Sequence, residues 1–208
     1  MAVTLQNLLD DLNDRLNDTA NAQASVATKT RFINYGIAAT WPDLYRVVTA
    51  SASIVAGTSE YPLTALAGLD ARIARIEVQT TVGGAYVDAW DTSVNPTATS
   101  PLLIFRGGAP GATGCLVRAT AAAKLTKLSL VTDNYDGPLG TDELPVLYAM
   151  AMCTSRPVDD RLDYKRYSTT ADKNGVGVEE LTGVASFWMD QYDRLLERNR
   201  MPPLGAIV

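Results

Sequence analysis

VEELTGVASFWMDQYDRLLER, residues Val178 to Arg198, carries Leu181, Val184, Ala185, Trp188, Tyr192, Leu195 and Leu196 at three- and four-residue steps. That is the spacing of one buried helical face. Glu179 and Glu180 fall in the first turn, with Arg198 at the last and Arg200 beyond it, so the charges complement the helix dipole. Pro202 and Pro203 stop the helix, since a proline ring removes a backbone donor and crowds the preceding turn. So amphipathic a helix requires a partner surface, and the chain supplies other apolar stripes on both sides of a β-rich middle. Nothing in the stretch suggests chemistry. Leu181, Trp188, Tyr192 and Leu195 read as packing residues.

Toward the N-terminus, Leu5, Leu8, Leu9, Leu12 and Leu16 form a narrow stripe behind a candidate N-cap at Thr4. The opposite face bears Asp10, Asp11, Asp14 and Asp18 and is expected to be solvated rather than cation-binding. Asn17 to Ser25 reads as a polar loop. A second helix begins near Thr28 or Thr30, carries Phe32, Ile33, Tyr35, Ile37 and Ala38, and ends or kinks at Trp41-Pro42. Leu8, Leu12, Phe32 and Trp41 are its share of the expected core, together with the first helix.

From Ala50 the period changes from helical to alternating. Short strands are expected at Ser51–Ala56, Glu60–Leu63, Arg72–Val82, Ala85–Trp90, Pro101–Arg106, Gly114–Thr120 and Lys124–Thr132, punctuated by Gly and Pro. Within the third, the cleaner register turns Ile76, Val78 and Thr80 inward and Arg75, Glu77 and Gln79 outward. After a loop at Asp133–Leu139, Thr141 or Asp142 caps a third helix with Pro145 in its first turn. Val146, Leu147, Ala149, Met150 and Cys153 make this helix apolar all round, so it should be buried, and Arg156-Pro157 should end it. Charged residues from Asp159 to Lys173 follow, and Asn174-Gly175 leads into the final helix.

The fold class that results is α+β. Residues 1–49 and 133–200 form an antiparallel helical bundle built from both chain ends. Residues 50–132 form an inserted antiparallel β-sandwich or barrel, and 201–208 an extended tail. The tail residues Met201, Pro202, Pro203, Leu204, Ile207 and Val208 are apolar or extended, and such a terminus is a liability unless another surface receives it.

Chemistry is scarce in this sequence. None of the 208 residues is a histidine, which removes the commonest general base and metal ligand and with it any Ser-His triad, although a Ser–Lys pair stays open. The net charge is −5 with no dense basic run, which disfavours wrapping a nucleic-acid backbone. Gly107 to Gly114 (GGAPGATG) is glycine-dense but lacks the lysine of a phosphate loop and reads as a hairpin tip. Asp159, Asp160 and Asp163 interleave with Arg156, Arg161 and Lys165, so local ion pairing is favoured over a cation site. Cys115 and Cys153 stand in no metal spacing and read as small apolar residues of a reducing compartment. Trp41, Trp90 and Trp188 fill a core or interface. No stretch approaches a membrane span, and no signal peptide or cofactor is expected.

The order of several packing patterns resembles head-to-tail connector (adaptor) proteins of long-tailed phages. The patterns are Leu5-Gln-Asn-Leu-Leu with Arg15-Leu-Asn-Asp, Arg31-Phe-Ile-Asn-Tyr-Gly with Trp41-Pro-Asp-Leu-Tyr, and Gly57-Thr-Ser-Glu-Tyr-Pro-Leu before a β segment. Leu144-Pro-Val-Leu-Tyr-Ala and Ala185-Ser-Phe-Trp with Tyr192 and Leu195 complete them. The resemblance implies a non-enzymatic protein of the virion neck, assembled in the host cytoplasm. It implies a ring, usually of twelve copies, beneath the portal. Such a ring extends the DNA channel without reading sequence and meets the stopper or tail, and residues 201–208 would dock on the portal or an adjacent subunit. The β insertion is larger than a minimal adaptor needs. A second class stays open beside it: a partner- or carbohydrate-binding β module on a helical anchor.

Overall fold

The computed structural model describes the chain except for residues 1, 19, 21–23, 70, 90, 96–100, 109–110, 166–177 and 203–208, and except for the side chains of 156–165 and 178–181. Among the described residues the order is two α-helices, seven strands and two α-helices: α1 (Leu5–Leu16), α2 (Val26–Ala39), β1 (Arg46–Ser53), β2 (Glu60–Pro62), β3 (Ala71–Gln79), β4 (Tyr86–Asp88), β5 (Thr92–Asn95), β6 (Leu102–Phe105), β7 (Leu116–Ala123), α3 (Glu143–Lys165) and α4 (Val178–Asn199). The class is α+β, with antiparallel sheets and no closed barrel. The chain divides into two compact units, one of Met1–Leu44 with Leu125–Met201, the other of Tyr45–Lys124 with Pro202.

The helical unit starts with local signals. Thr4 caps α1, its hydroxyl accepting from the Asn7 amide at 3.3 Å while the Asn7 side chain accepts from the Thr4 amide at 2.9 Å. Asn17 closes the helix in the left-handed region at φ 52°. The α2 helix begins at Val26, ahead of the expected Thr28 or Thr30, because Ser25 supplies the cap and accepts from the Thr28 amide. Leu5, Leu8, Leu9 and Leu12 of α1 pack with Phe32, Ile33 and Ile37 of α2 and with Val146, Ala149 and Met150 of α3. Tyr35 is half exposed and lies off this face.

Three expectations for this unit are corrected. Asp18 is not on a solvated face. It is buried and takes the ammonium of the fully buried Lys29 at 2.7 Å, while Asn13 Oδ1 and the Asp18 carbonyl accept from the same Nζ at 2.6 and 3.2 Å. The segment Lys124–Thr132 is not a strand, because side chains take its backbone groups. The Asn34 amide donates to the Leu128 carbonyl and accepts from the Leu128 amide, both at 2.8 Å. Asp136 accepts from the Thr126 amide, and Asp133 from the Ser129 and Leu130 amides. Those two amides hold the Asp133 carboxyl below its ordinary range. Finally, α3 does not stop at Arg156-Pro157 but continues to Lys165. Pro157 costs it one backbone donor, and the turn before it is braced by Thr154 and Ser155 hydroxyls donating to the carbonyls of Met150 and Met152.

Gly36 sits where α2 meets α3. A Cβ there would lie 2.8 Å from Tyr148 Cβ and 3.0 Å from Pro145 Cα, neither of which is the free end of a flexible side chain. Gly36→Ala is therefore expected to destabilise by about 1–3 kcal/mol despite alanine's better helix propensity. Urea unfolding checks this, and an equal or higher midpoint would show that the helices have room to separate.

The β unit holds two antiparallel sheets, β1-β7-β3-β4 and β2-β6-β5. One core draws on both: Ala50, Val78, Val117, Ala119 and Ala121 from the first, Tyr61, Leu103 and Phe105 from the second. The parity expected in β3 holds for Val78, which is buried, but the strand ends at Gln79 and Thr80 is exposed. On the other face Arg75 is exposed as expected, but Glu77 and Gln79 are not. Arg118 donates to Glu77 Oε2 at 2.6 and 2.9 Å and lies 3.9 Å from the Tyr86 ring centroid, and the Gln79 amide bridges the Leu116 amide and the Gly84 carbonyl. Glu77 and Gln79 are consequently buried.

Candidate functional site

Among the described residues, the surface around α4 offers a candidate site that belongs wholly to the helical unit. α4 buries Tyr192 against Leu44, Leu144 and Leu147, with Trp188, Leu195, Leu196 and Met201 packed around it. Trp188 also touches the cluster formed by α1, α2 and α3, and its ring meets Phe187 edge-on at 5.0 Å. Of the residues expected to pack, Leu8, Leu12, Phe32 and Tyr192 are buried, and Trp41, Trp188 and Leu195 are half-buried. The Leu181 side chain lies outside the described residues, as do Trp90 and the acidic side chains of Asp159, Asp160 and Asp163.

Each flank of α4 carries a groove. On one side, Tyr148, Ala151, Met152, Ala185 and Met189 line a cavity of about 600 Å³, edged by Asp190 and Asp193. On the other, Phe187, Trp188 and Leu195 line one of about 330 Å³ with Arg15, Arg194 and Arg198, and with Glu143. Helical periodicity explains the division: residues 185, 189 and 193 stack on one side of the buried Trp188–Tyr192 line, and 187, 191, 194 and 198 on the other. Arg194 reaches back over the ridge to Asp190 at 2.7 Å. Phe187 and Val184 remain about half exposed. Sequence reasoning named neither groove, because the α3 side of each is brought up only by tertiary packing; the charge split along α4 was the available signal.

The Tyr192 hydroxyl is buried and has no hydrogen-bond partner among the described residues. Burial pushes its pKa well above the ordinary tyrosine value, with the Tyr148 hydroxyl adding to the effect. An unpaired buried hydroxyl costs free energy. Tyr192→Phe is therefore expected to stabilise the fold by about 1 kcal/mol while keeping the edge-on ring contact with Tyr148. A lower melting temperature for this variant would reveal a partner that the hydroxyl needs. Tyr135 contrasts with it: its hydroxyl shares a hydrogen bond with Thr141 at 3.1 Å, and burial pushes it up to about 12.

The start of the tail is held. The Met201 amide donates to the Asp43 carbonyl at 2.9 Å, Arg200 pairs with the Asp43 carboxylate at 2.8 Å, and Tyr45 donates to the Pro202 carbonyl at 3.0 Å. Pro203, Leu204, Ile207 and Val208 lie outside the described residues. Among the described residues, no group of acidic, Cys or His side chains is arranged to hold a metal, and no helix is long and apolar enough to cross a membrane. Cys115 is buried and Cys153 half-buried, and the two are not joined in a disulfide.

No family model matches this chain, and no curated protein does. Among solved structures, the neck of an empty GTA particle computed with C6 symmetry aligns over 98% of this chain and 94% of that one, at 15% identity and a TM-score of 0.33. At that score the likeness is loose and gives this chain neither a fold name nor a function.

Proposed function

We propose that this chain is a structural protein of a phage neck, a head-to-tail adaptor that forms a ring beneath the portal, extends the DNA channel and joins the head to a stopper or tail. The observation that carries the reading is where its adaptor-like patterns fall in the helical unit. Leu5, Leu8 and Leu9, then Phe32, Ile33 and Gly36, then Leu144, Val146 and Leu147, then Trp188, Tyr192 and Leu195 come from segments far apart in sequence. They pack into one helical body drawn from chain segments that precede and follow the β unit in sequence. A body of that kind, without a catalytic constellation in its sequence, suits assembly better than turnover. By the same resemblance the ring holds twelve copies and sits in the virion neck, and DNA passes it without base readout.

The portal-docking segment in this reading is the apolar end of the chain, starting at Pro203, since Met201 and Pro202 already have partners within this chain. Removing residues 203–208 should leave helix content and melting temperature unchanged. It should weaken binding to purified portal by about tenfold or more, as expected when several apolar side chains lose their receiving surface. Circular dichroism and a pull-down titration with portal give the two readouts. A truncated chain that binds portal as well as the full chain does would remove the tail from the reading, and a full chain that binds no portal would remove the adaptor role itself.

A further inference from the structure

We propose that α4 joins copies of this chain head to tail, the aspartate-edged groove of one copy receiving Phe187 and Val184 of the next. The proposal rests on the ring reading above and names its contact. Four features carry it. The groove between α3 and α4 is apolar within, walled by Tyr148, Met152 and Met189, and its described charged residues are Asp190 and Asp193, with no base among them. The opposite flank of the same helix offers what such a groove takes: Phe187 is 51% exposed and shares its groove with Arg194 and Arg198, and Val184, about one turn before it, is 44% exposed. Phe187 is braced edge-on by Trp188, so the projecting ring is pre-positioned. The two flanks differ in charge and in shape, so neither matches itself. A two-fold contact needs a self-complementary patch, whereas unlike flanks on opposite sides of one helix generate head-to-tail contacts, which close into a ring when the rotation between neighbouring copies closes.

Scattered apolar residues on a surface are ordinary. Here the apolar pair and the arginines share one flank, and the apolar groove and the aspartates share the other. In the contact, Arg198 of one copy faces Asp193 of the next. Asp190 and Arg194, paired on the ridge between the flanks, lie at the rim.

The test is native mass spectrometry with light scattering, on the full chain alone and mixed with purified portal, for the wild type, Phe187→Asp, Asp193→Arg, Arg198→Asp and the doubly reversed Asp193→Arg/Arg198→Asp chain. All three positions are exposed, so circular dichroism should report native folding throughout. The wild type is expected to assemble beyond a dimer. Each single variant should need about tenfold or more concentration to do so, because like charges or a buried carboxylate then face each other. The double reversal should recover assembly, since every contact regains opposite charges. If the single variants assemble as the wild type does, or the double variant is no better than they are, this contact is overturned while the ring reading stands. A wild type that stops at a dimer overturns the head-to-tail arrangement. A wild type that stays monomeric both alone and with portal overturns the ring and this contact together.

Discussion

Lys29→Met lowers the stability of the helical unit by about 3–5 kcal/mol, the loss typical of a buried ion pair from which one partner is removed. The Lys29 side chain is fully buried and its ammonium meets Asp18 Oδ2 at 2.7 Å, Asn13 Oδ1 at 2.6 Å and the Asp18 carbonyl at 3.2 Å. One side chain of α2 therefore ties down the end of α1 and the start of the connection after it. Methionine fills much of the same volume but leaves the buried Asp18 carboxylate without this cation. The cost arises from that stranded charge more than from the lost contacts. Lys29→Met/Asp18→Asn removes the charge as well and should recover more than half of the loss. Urea unfolding followed by far-UV circular dichroism reads both. A single variant within about 1 kcal/mol of the parent would mean that water reaches the carboxylate, and the pair would then be a surface feature rather than an anchor.

Trp188→Ala is the second large effect, expected at about 3 kcal/mol, the lower end for truncating a large aromatic because the ring is half-buried rather than enclosed. Among the described side chains of α4, Trp188 packs against both apolar clusters of the helical unit, the one built on α1, α2 and α3 and the one around Leu44, Leu144 and Leu147. Without it the link between those clusters opens beside an existing groove of about 330 Å³, and Phe187 loses its edge-on neighbour at 5.0 Å. Trp188→Phe should retain most of the stability. The same two variants separate packing from assembly: Trp188→Ala should weaken ring formation along with the fold, whereas Phe187→Asp should weaken ring formation alone. A Trp188→Ala chain that melts within a degree or two of the parent would show that α4 is anchored elsewhere, by Tyr192 and Leu196.

Local chemistry in the sequence determined the helices that start at a cap and run on a clear period. Thr4 and the Leu5–Leu12 stripe, and the Trp188–Leu196 part of the last helix's face, needed nothing beyond neighbouring residues, since a side-chain cap and a 3.6-residue repeat are properties of a few consecutive positions; Val184, expected on the same buried face, is instead about half exposed. The antiparallel character of the middle followed in the same way from alternation and from Gly and Pro at the turns, while the choice of two sheets over a barrel came only with the strand pairing.

What tertiary structure alone decided lies where the partner is distant in the chain. Asp18 and Asp14 look alike in sequence, and only the approach of Lys29 buries the first. The segment Lys124–Thr132 has a strand's composition, yet Asn34, Asp133 and Asp136 satisfy its backbone groups before another strand can. Pro157 has the local chemistry of a helix stop, but one lost donor and one crowded turn did not end α3. Of the outward residues of β3, Glu77 is covered by Arg118 and Tyr86 because β7 and β4 lie on either side of that strand. The two unlike flanks of α4 belong to the same category. The helix sequence holds their charges, but a groove needs a second wall, and α3 and α1 supply it only once the chain has folded.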